Sequence, residues 1–169
     1  MATQGVRAKR SLGQNFLKDP NICRKIVGQA RIREGEPVLE IGPGQGALTG
    51  LLLESGASRV LALEKDDILA RNLAERWPTL EVVHGDALAY DWESLHPEKA
   101  WKVLGNLPYN VASPIIWEVA SRAWGMGRGV FMVQKEVGRR LCAPPGSREY
   151  GALSVWVQSF AGCSLAFVV

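Results

Sequence analysis

Hydrophobic positions in this chain form short apolar runs that alternate with longer stretches of helical spacing. Runs of four or five apolar residues, bounded by glycine, proline or polar residues, are typical of buried strands. The strands predicted in this way are 37–41, 59–63, 80–83, 101–105 and 129–133. The predicted helices are 20–31, 47–54, 66–77, 113–124 and 150–160. Strands that alternate with helices predict an α/β protein, in which helices cover both faces of a parallel sheet.

The last residues, 164–169, form another apolar run, and no turn or polar tail follows it. This pattern predicts a further strand, and we expect the chain to be a fragment of a longer protein. At 169 residues it is long enough for one domain with a substantial core. We divide it into a basic amino-terminal segment and helix, 1–34, and an α/β domain, 35–169.

Composition narrows the possible compartments and ligands. No apolar run approaches the roughly 20 residues that a membrane span needs, and the first residues lack the apolar core of a secretory signal. A short basic transit peptide is also compatible with them. The three cysteines are far apart and odd in number, which favours free thiols in a reducing cytoplasm. We predict no metal site, because neither histidine has a partner at metal-binding spacing.

Charge is distributed unevenly along the chain. The net charge is +3, yet residues 1–34 alone hold eight basic side chains against the two acids Asp19 and Glu34. The basic residues are Arg7, Lys9, Arg10, Lys18, Arg24, Lys25, Arg31 and Arg33. A basic segment on a weakly acidic body indicates a polyanionic partner such as a nucleic acid, although solvated helix faces could produce the same pattern.

A glycine-rich turn lies between the first strand and its helix. Gly42, Gly44 and Gly46 are spaced GxGxG, and glycine permits a tight turn that a ligand can approach closely. Dinucleotide-binding enzymes favour GxGxxG and hold a pyrophosphate at the helix start. Glycine spacing alone barely separates that class from other nucleoside-binding proteins.

Acidic residues at three successive strand ends separate the classes better. Glu40 ends the first strand, Glu64 the second and Asp86 follows the third. Glu64 can accept both hydroxyls of a ribose and Asp86 the amino group of an adenine. Each acid alone is compatible with a solvated strand end. Together they suit a ligand without phosphates, such as the sulfonium cation S-adenosylmethionine, whose methionine end Glu40 would help to position.

The string Asn106-Leu107-Pro108-Tyr109 follows the fourth predicted strand. An amide, a rigid kink and an aromatic ring at a strand end can form a pocket for an unstacked base. The amide oxygen would accept from an amino group, and the ring would stack on the base. By itself the string is equally compatible with a strand that ends in a proline turn.

Considered together, these motifs resemble the ribosomal RNA adenine dimethyltransferases, the KsgA/Dim-type enzymes and their Erm resistance relatives. The matching residues are colinear and span nearly the whole chain. They are Gly13-Gln14-Asn15-Phe16-Leu17, Glu40-Ile41-Gly42-Pro43-Gly44, Glu64, Gly85-Asp86-Ala87, Asn106-Leu107-Pro108-Tyr109-Asn110 and Gln134-Lys135-Glu136-Val137. Leu107 followed at a distance by Asn110 is more similar to the small-subunit enzymes than to the Erm type.

The resemblance implies a Rossmann-like class I methyltransferase that transfers two methyl groups from S-adenosylmethionine to the exocyclic amine of adenines in small-subunit ribosomal RNA. It implies catalytic roles for Asn106, Leu107, Pro108 and Tyr109. The candidate cofactor-binding residues are Gln14, Asn15, Leu17, Glu40, Gly42, Gly44, Glu64, Lys65, Asp86, Ala87 and Asn106. The expected partner is ribosomal RNA in a pre-30S particle, and the expected state is a cytoplasmic monomer without a membrane partner.

Three alternatives remain at this point. The chain could be a ribosome-assembly or RNA-binding factor of the same fold, or an Erm-like methyltransferase of large-subunit RNA. A nicotinamide-dependent oxidoreductase is disfavoured by the glycine spacing and by Asp86. Family members continue into further strands and a small helical domain that contacts RNA. We therefore expect this fragment to bind the cofactor and to dock weakly on its ribosomal substrate.

Overall fold

The computed structural model describes Leu17 and residues 19–169. The predicted cofactor contacts Gln14 and Asn15 lie outside the described residues, as do the basic side chains before Leu17 and Lys18. The strands are β1 Val38–Ile41, β2 Val60–Glu64, β3 Glu81–His84, β4 Trp101–Asn106 and β5 Met126–Met132. The helices are α1 Pro20–Ala30, α2 Thr49–Leu53, α3 Asp67–Arg76, α4 Ala112–Arg122, α5 Lys135–Leu141 and α6 Ala152–Gln158. Two short 3-10 helices, Trp92–Ser94 and Pro97–Lys99, precede β4.

The described strands form one sheet in the order β3-β2-β1-β4-β5, and every pair is parallel. From β1 the chain proceeds outward to β2 and β3, then returns to β4 on the opposite side of β1. The carboxyl ends of β1 and β4 therefore flank the point where the winding direction reverses. In open α/β sheets this crevice is where ligands bind.

Helices cover both faces of the sheet, as the alternating pattern predicts. On one face, Leu39, Ile41 and Val103 pack against α4 and α6. On the other face, Val38 and Leu104 pack against α1 and the start of α2. The central strands β1 and β2 are buried throughout, because they are covered on both faces. The three cysteines are free thiols, with Cys23 buried and Cys142 and Cys163 partly buried.

The structure corrects two expectations about the elements. Residues 164–169 form no strand, so the prediction of a further strand there is wrong. Of these residues only Phe167 is partly buried: it packs against the core on the α1 side and lies below the ammonium of Lys25, whereas the other five are exposed. A strand needs a hydrogen-bonded neighbour, which an apolar pattern does not guarantee. The second difference is α5, for which no helix was predicted.

Candidate functional site

A pocket opens at the carboxyl ends of the strands, at the point where the winding reverses. Its walls come from the turn after β1, the ends of β2 and β3, and the segment between β4 and α4. The lining residues are Leu17, Glu40, Ile41, Gly42, Pro43, Gly44, Gln45, Ala47, Leu48, Leu63, Glu64, Lys65, Gly85, Asp86, Ala87, Leu88, Asn106, Pro108, Asn110, Val111 and Ile115. The structure thus brings most of the predicted site residues to one place.

The turn after β1 depends on its glycines for two different reasons. Gly42 and Gly44 line the pocket with φ of 63° and 60°, a backbone conformation that side chains disfavour. Gly46 has φ of 82°, and a Cβ there would lie 2.4 Å from the ring of Trp77 at the end of α3. The third glycine of the GxGxG spacing is therefore required by packing against Trp77.

Glu64, at the end of β2, is buried and holds the glycine turn in place. Its Oε2 accepts a hydrogen bond from the Gly44 N–H at 3.0 Å, and its Oε1 accepts one from the Asp66 N–H at 2.8 Å. Each carboxylate oxygen can accept a second hydrogen bond. Glu64 can therefore receive hydroxyl groups of a ligand while it continues to anchor the turn.

Asp86, just beyond β3, is fixed by two contacts at the rim of the pocket. The Lys65 ammonium lies 2.7 Å from its Oδ2, and the Leu88 N–H donates to its Oδ1 at 3.0 Å. The hydrogen bond from Lys65, with the one from Leu88, lowers the pKa of Asp86. Asp86 is therefore ionised at neutral pH and can accept from an amino group.

Glu40, the penultimate residue of β1, lies deeper, on the face of the sheet that α1 and α2 cover. It is 2% exposed, and its Oε2 accepts a hydrogen bond of 2.6 Å from the hydroxyl of Thr49, the first residue of α2. Burial raises the pKa of Glu40 to about 7, Thr49 opposes the rise, and the neighbouring Glu64 adds to it. The protonation state of Glu40 therefore changes near neutral pH.

The string after β4 is divided between the pocket and its surroundings. Asn106 and Pro108 line the pocket. The Leu107 side chain is buried in the core, and its N–H donates to the Met132 carbonyl at 3.1 Å. Tyr109 is 48% exposed and does not line the pocket, so its ring faces solvent beside the opening.

Sequence reasoning missed several residues of the site. Thr49 bonds to Glu40 at the base of the glycine turn, and the Trp77 ring packs against Gly46. Asn110, Val111 and Ile115 complete the wall next to Asn106. Thr49 carries a signal in the sequence, since a hydroxyl residue at a helix start three residues after the last glycine is a candidate partner for a strand-end acid. No sequence pattern indicates the contact of Trp77 with Gly46, because that contact depends on where α3 packs relative to the glycine turn.

The charges of the lining residues indicate the type of ligand. Three carboxylates, Glu40, Glu64 and Asp86, line the pocket, and Lys65 is the single basic side chain among the described lining residues. Since Lys65 is paired with Asp86, a pyrophosphate would face net repulsion, whereas hydroxyls, amines and a cation would be attracted. Within the described residues, no cluster of three or more metal-binding side chains occurs. No helix in this part of the chain is long and apolar enough to cross a membrane.

Comparison with known proteins identifies the family of this chain. The family described as "Ribosomal RNA adenine dimethylase" matches residues 5–167. Ribosomal RNA small subunit methyltransferase A of Nitratidesulfovibrio vulgaris is 54% identical over 168 residues, which cover 96% of this chain and 63% of that protein. The Maridesulfovibrio salexigens protein of the same name is 51% identical and is covered to 62%. The chain thus spans about three fifths of the length of these relatives.

Solved structures agree with the sequence comparison. A dimethyladenosine transferase from Plasmodium falciparum is 34% identical with a TM-score of 0.71, over 85% of this chain and 52% of that one. The 23S rRNA methyltransferase ErmE is 32% identical with a TM-score of 0.68, over 78% of this chain and 53% of that one. The fold is therefore that of the class I methyltransferases, as predicted. With the family match over almost its entire length, the chain belongs to the ribosomal RNA adenine dimethylase family.

Proposed function

We propose that this chain binds S-adenosylmethionine in the pocket and transfers two methyl groups to the exocyclic amine of adenines in small-subunit ribosomal RNA. One observation supports this most strongly: the acids at or just after the ends of β1, β2 and β3 line a single pocket together with Asn106, which ends β4, and Pro108. The relatives that are 51% and 54% identical are named small-subunit methyltransferases, which favours that RNA over the large-subunit substrate of ErmE.

The described residues fit the cofactor in charge and in hydrogen-bonding groups. Glu64 would accept from the ribose hydroxyls with the lone pairs that Gly44 and Asp66 leave available. Asp86 would accept from the adenine amine, while Lys65 and Ala87 border the same end of the pocket. The turn with Gly42 and Gly44, next to Glu40, would hold the methionine end. Leu17 lines the pocket as well, whereas the proposed contacts of Gln14 and Asn15 rest on the resemblance alone.

The target adenine would enter beside Asn106. Its amine is a poor nucleophile, because the nitrogen lone pair is delocalised into the ring. Hydrogen bonds from the amine to the Asn106 amide oxygen and the Leu107 carbonyl would localise that pair and direct it toward the methyl group. Pro108 would fix the backbone between them, and the exposed Tyr109 would stack on the base as it leaves the RNA.

Positioning is the main contribution of these side chains. The cofactor, when bound, supplies an activated methyl group on a sulfonium. Glu64, Asp86 and the glycine turn would hold the cofactor, which would supply its methyl group to the amine nitrogen and keep the electron pair of the broken sulfur–carbon bond on sulfur. The excess proton on nitrogen can leave to solvent afterwards, so a strong base is unnecessary. Alignment for in-line attack is therefore the role we assign to Asn106 and its neighbours.

We infer that the substrate is RNA within a pre-30S particle and that the protein acts as a cytoplasmic monomer. The basic segment 1–34 supports an RNA partner through its charge.

Substitution of Asn106 tests the proposal. We expect Asn106→Ala to lower methyl transfer to undermethylated small subunits by at least 100-fold, because the amine loses its acceptor. The binding of S-adenosylhomocysteine should persist within about fivefold, because Glu64, Asp86 and the glycine turn remain. Asn72→Ala, on the exposed face of α3, is the matched control and should resemble the wild type in both assays.

Two results would contradict the proposal. One is wild-type turnover by the Asn106→Ala variant. The other is failure of the unsubstituted chain to transfer labelled methyl groups either to subunits or to short adenine-containing RNA. Methyl transfer to RNA would also exclude the alternative of a ribosome-assembly factor that has this fold but catalyses no reaction.

A further inference from the structure

Glu40 and Thr49 form a buried pair directly beneath the glycine turn. Glu40 is 2% exposed and Thr49 is 0% exposed, and their hydrogen bond of 2.6 Å joins β1 to α2. The turn 42–48 begins two residues after Glu40 and ends one residue before Thr49. The pair therefore closes the base of the turn that lines the pocket, and it fixes where α2 begins.

The surroundings of Glu40 contain little to stabilise a negative charge. Glu64 faces it from β2, and the thiol of Cys23 approaches from α1. Thr49 from α2 offers a neutral hydroxyl, and Leu104 from β4 is its apolar register partner. Among the described residues, no lysine, arginine or histidine forms an ion pair with Glu40. A buried carboxylate without a cation is costly, so the acid form is favoured.

Glu40 also lines the pocket, where a ligand can supply the missing positive charge. The ammonium group of an amino acid is a suitable cation, since it is compact and donates three hydrogen bonds. In an environment of low dielectric constant, its attraction to a nearby carboxylate is much stronger than in water. Glu40 therefore has no neighbouring cation in the free protein and gains one when such a ligand binds.

We propose that Glu40 and Thr49 are a proton-linked positioning pair, in which Glu40 is protonated in the free protein and releases its proton when the ammonium of the cofactor's methionine end enters. The proton passes to solvent, and the carboxylate then accepts a stronger, charge-assisted hydrogen bond from Thr49. That bond holds the start of α2 and the glycine turn around the ligand. This inference rests on the proposed function and assigns Thr49 a part in it.

The direction of the pH dependence follows from linkage. Burial raises the pKa of Glu40 to about 7 in the free protein, and the bound ammonium lowers it. Below pH 7 a ligand must displace a proton to bind, so its affinity should fall roughly tenfold for each pH unit. Above pH 7 Glu40 is already ionised, and this dependence should disappear.

Calorimetry in buffers of different ionisation enthalpy measures the released proton directly. The probes are S-adenosylhomocysteine, which carries the ammonium, and 5′-methylthioadenosine, which lacks the amino-acid end. At pH 6 we expect release of close to one proton with the first probe and none with the second. Glu40→Gln should bind S-adenosylhomocysteine without this proton release. Protons that the probe itself gains or loses contribute equally in the wild type and the variant, so the difference between the two proteins reports Glu40.

Variants of Thr49 test the second member of the pair. Thr49→Val keeps the shape but removes the donor, so the midpoint of the pH dependence should move to higher pH and the affinity at pH 7 should fall severalfold. Thr49→Ser retains the hydroxyl and should restore both values. His84→Gln controls for the titratable ring at the nearby end of β3, and it should leave the proton release unchanged.

Carboxyl carbon NMR of the unsubstituted protein gives a readout that needs no variant. The Glu40 resonance should titrate near pH 7 in the free protein and well below that in the complex. Binding of S-adenosylhomocysteine without proton release at pH 6, or an equal pH dependence in wild type and Glu40→Gln, would overturn the inference alone. If neither S-adenosylmethionine nor S-adenosylhomocysteine binds at any pH, the proposed function fails and the inference fails with it.

Discussion

Single residues around the glycine turn carry the most specific information about this site. Gly46 is constrained by its φ of 82° and by the Trp77 ring, which occupies the space that a Cβ would need. Glu40 is constrained by burial and by Thr49. The sequence predicted that glycines and an acid belong here, but not that a tryptophan and a threonine hold them. Those two contacts depend on the relative placement of α2 and α3, which local patterns do not encode.

Two glycines provide a matched test of the Trp77 contact. Gly46→Ala places a Cβ 2.4 Å from the Trp77 ring in a strained backbone conformation, and we expect it to destabilise the fold by about 2–4 kcal/mol. Gly28→Ala lies within α1 with open space around it and should stabilise the fold by about 0.5–1 kcal/mol. Urea unfolding of both variants measures the difference. An unchanged midpoint for Gly46→Ala would show that Trp77 does not fill this space.

The burial of Glu40 also predicts a pH dependence of stability. Its pKa is about 7 in the folded protein against an ordinary 4.5, so the folded state binds the extra proton between these values. The contribution of Glu40 to stability is therefore most favourable below pH 4.5, declines as pH rises toward 7 and is constant above it. Relative to wild type, Glu40→Gln should gain on the order of 2–3 kcal/mol between pH 5 and pH 8. Parallel stability profiles for the two proteins would refute this.

At the scale of elements, the five strands of the sheet were predicted well, whereas helix α5 and the conformation of residues 164–169 were not. β1, β2 and β4 are covered on both faces, so they are mostly apolar and easily recognised, although each holds one charged residue: Glu40, Glu64 and Lys102. α5 was missed because its seven residues include Gly138 and three charged side chains after Lys135, which weakens the helical spacing. The run 164–169 was assigned to a strand from its apolar pattern alone, but five of its six residues are exposed, and a strand also needs a hydrogen-bonded neighbour.

The start of α1 offers a prediction at this scale. Asp19 caps the helix by accepting from the Asn21 N–H at 2.8 Å and the Ile22 N–H at 3.4 Å, as its position before Pro20 predicts. Asp19→Ala should cost about 1 kcal/mol in unfolding free energy. Asp91→Ala is the control, since that residue precedes a 3-10 helix without a capping side-chain bond, and it should stay within about 0.5 kcal/mol. Equal losses in both variants would contradict the capping role.

At the scale of the whole molecule, the parallel sheet explains why distant motifs form one site. Glu40, Glu64, Asp86 and Asn106 lie at or within two residues of the carboxyl ends of four parallel strands, so they meet at one edge even though 66 positions separate the first from the last. This much follows from the alternation of strands and helices in the sequence. The order of the strands, and hence the position of the pocket between β1 and β4, required the structure.

The measurement that tests the central claim most directly is the mapping of methylated adenines in small-subunit RNA. Undermethylated subunits would be incubated with the protein and isotopically labelled S-adenosylmethionine, then digested and examined by mass spectrometry. We predict N6,N6-dimethyladenosine that carries two labelled methyl groups, at defined adenines, and none with Asn106→Ala. Label that appears on another base, on the ribose or on large-subunit RNA alone would contradict the assignment.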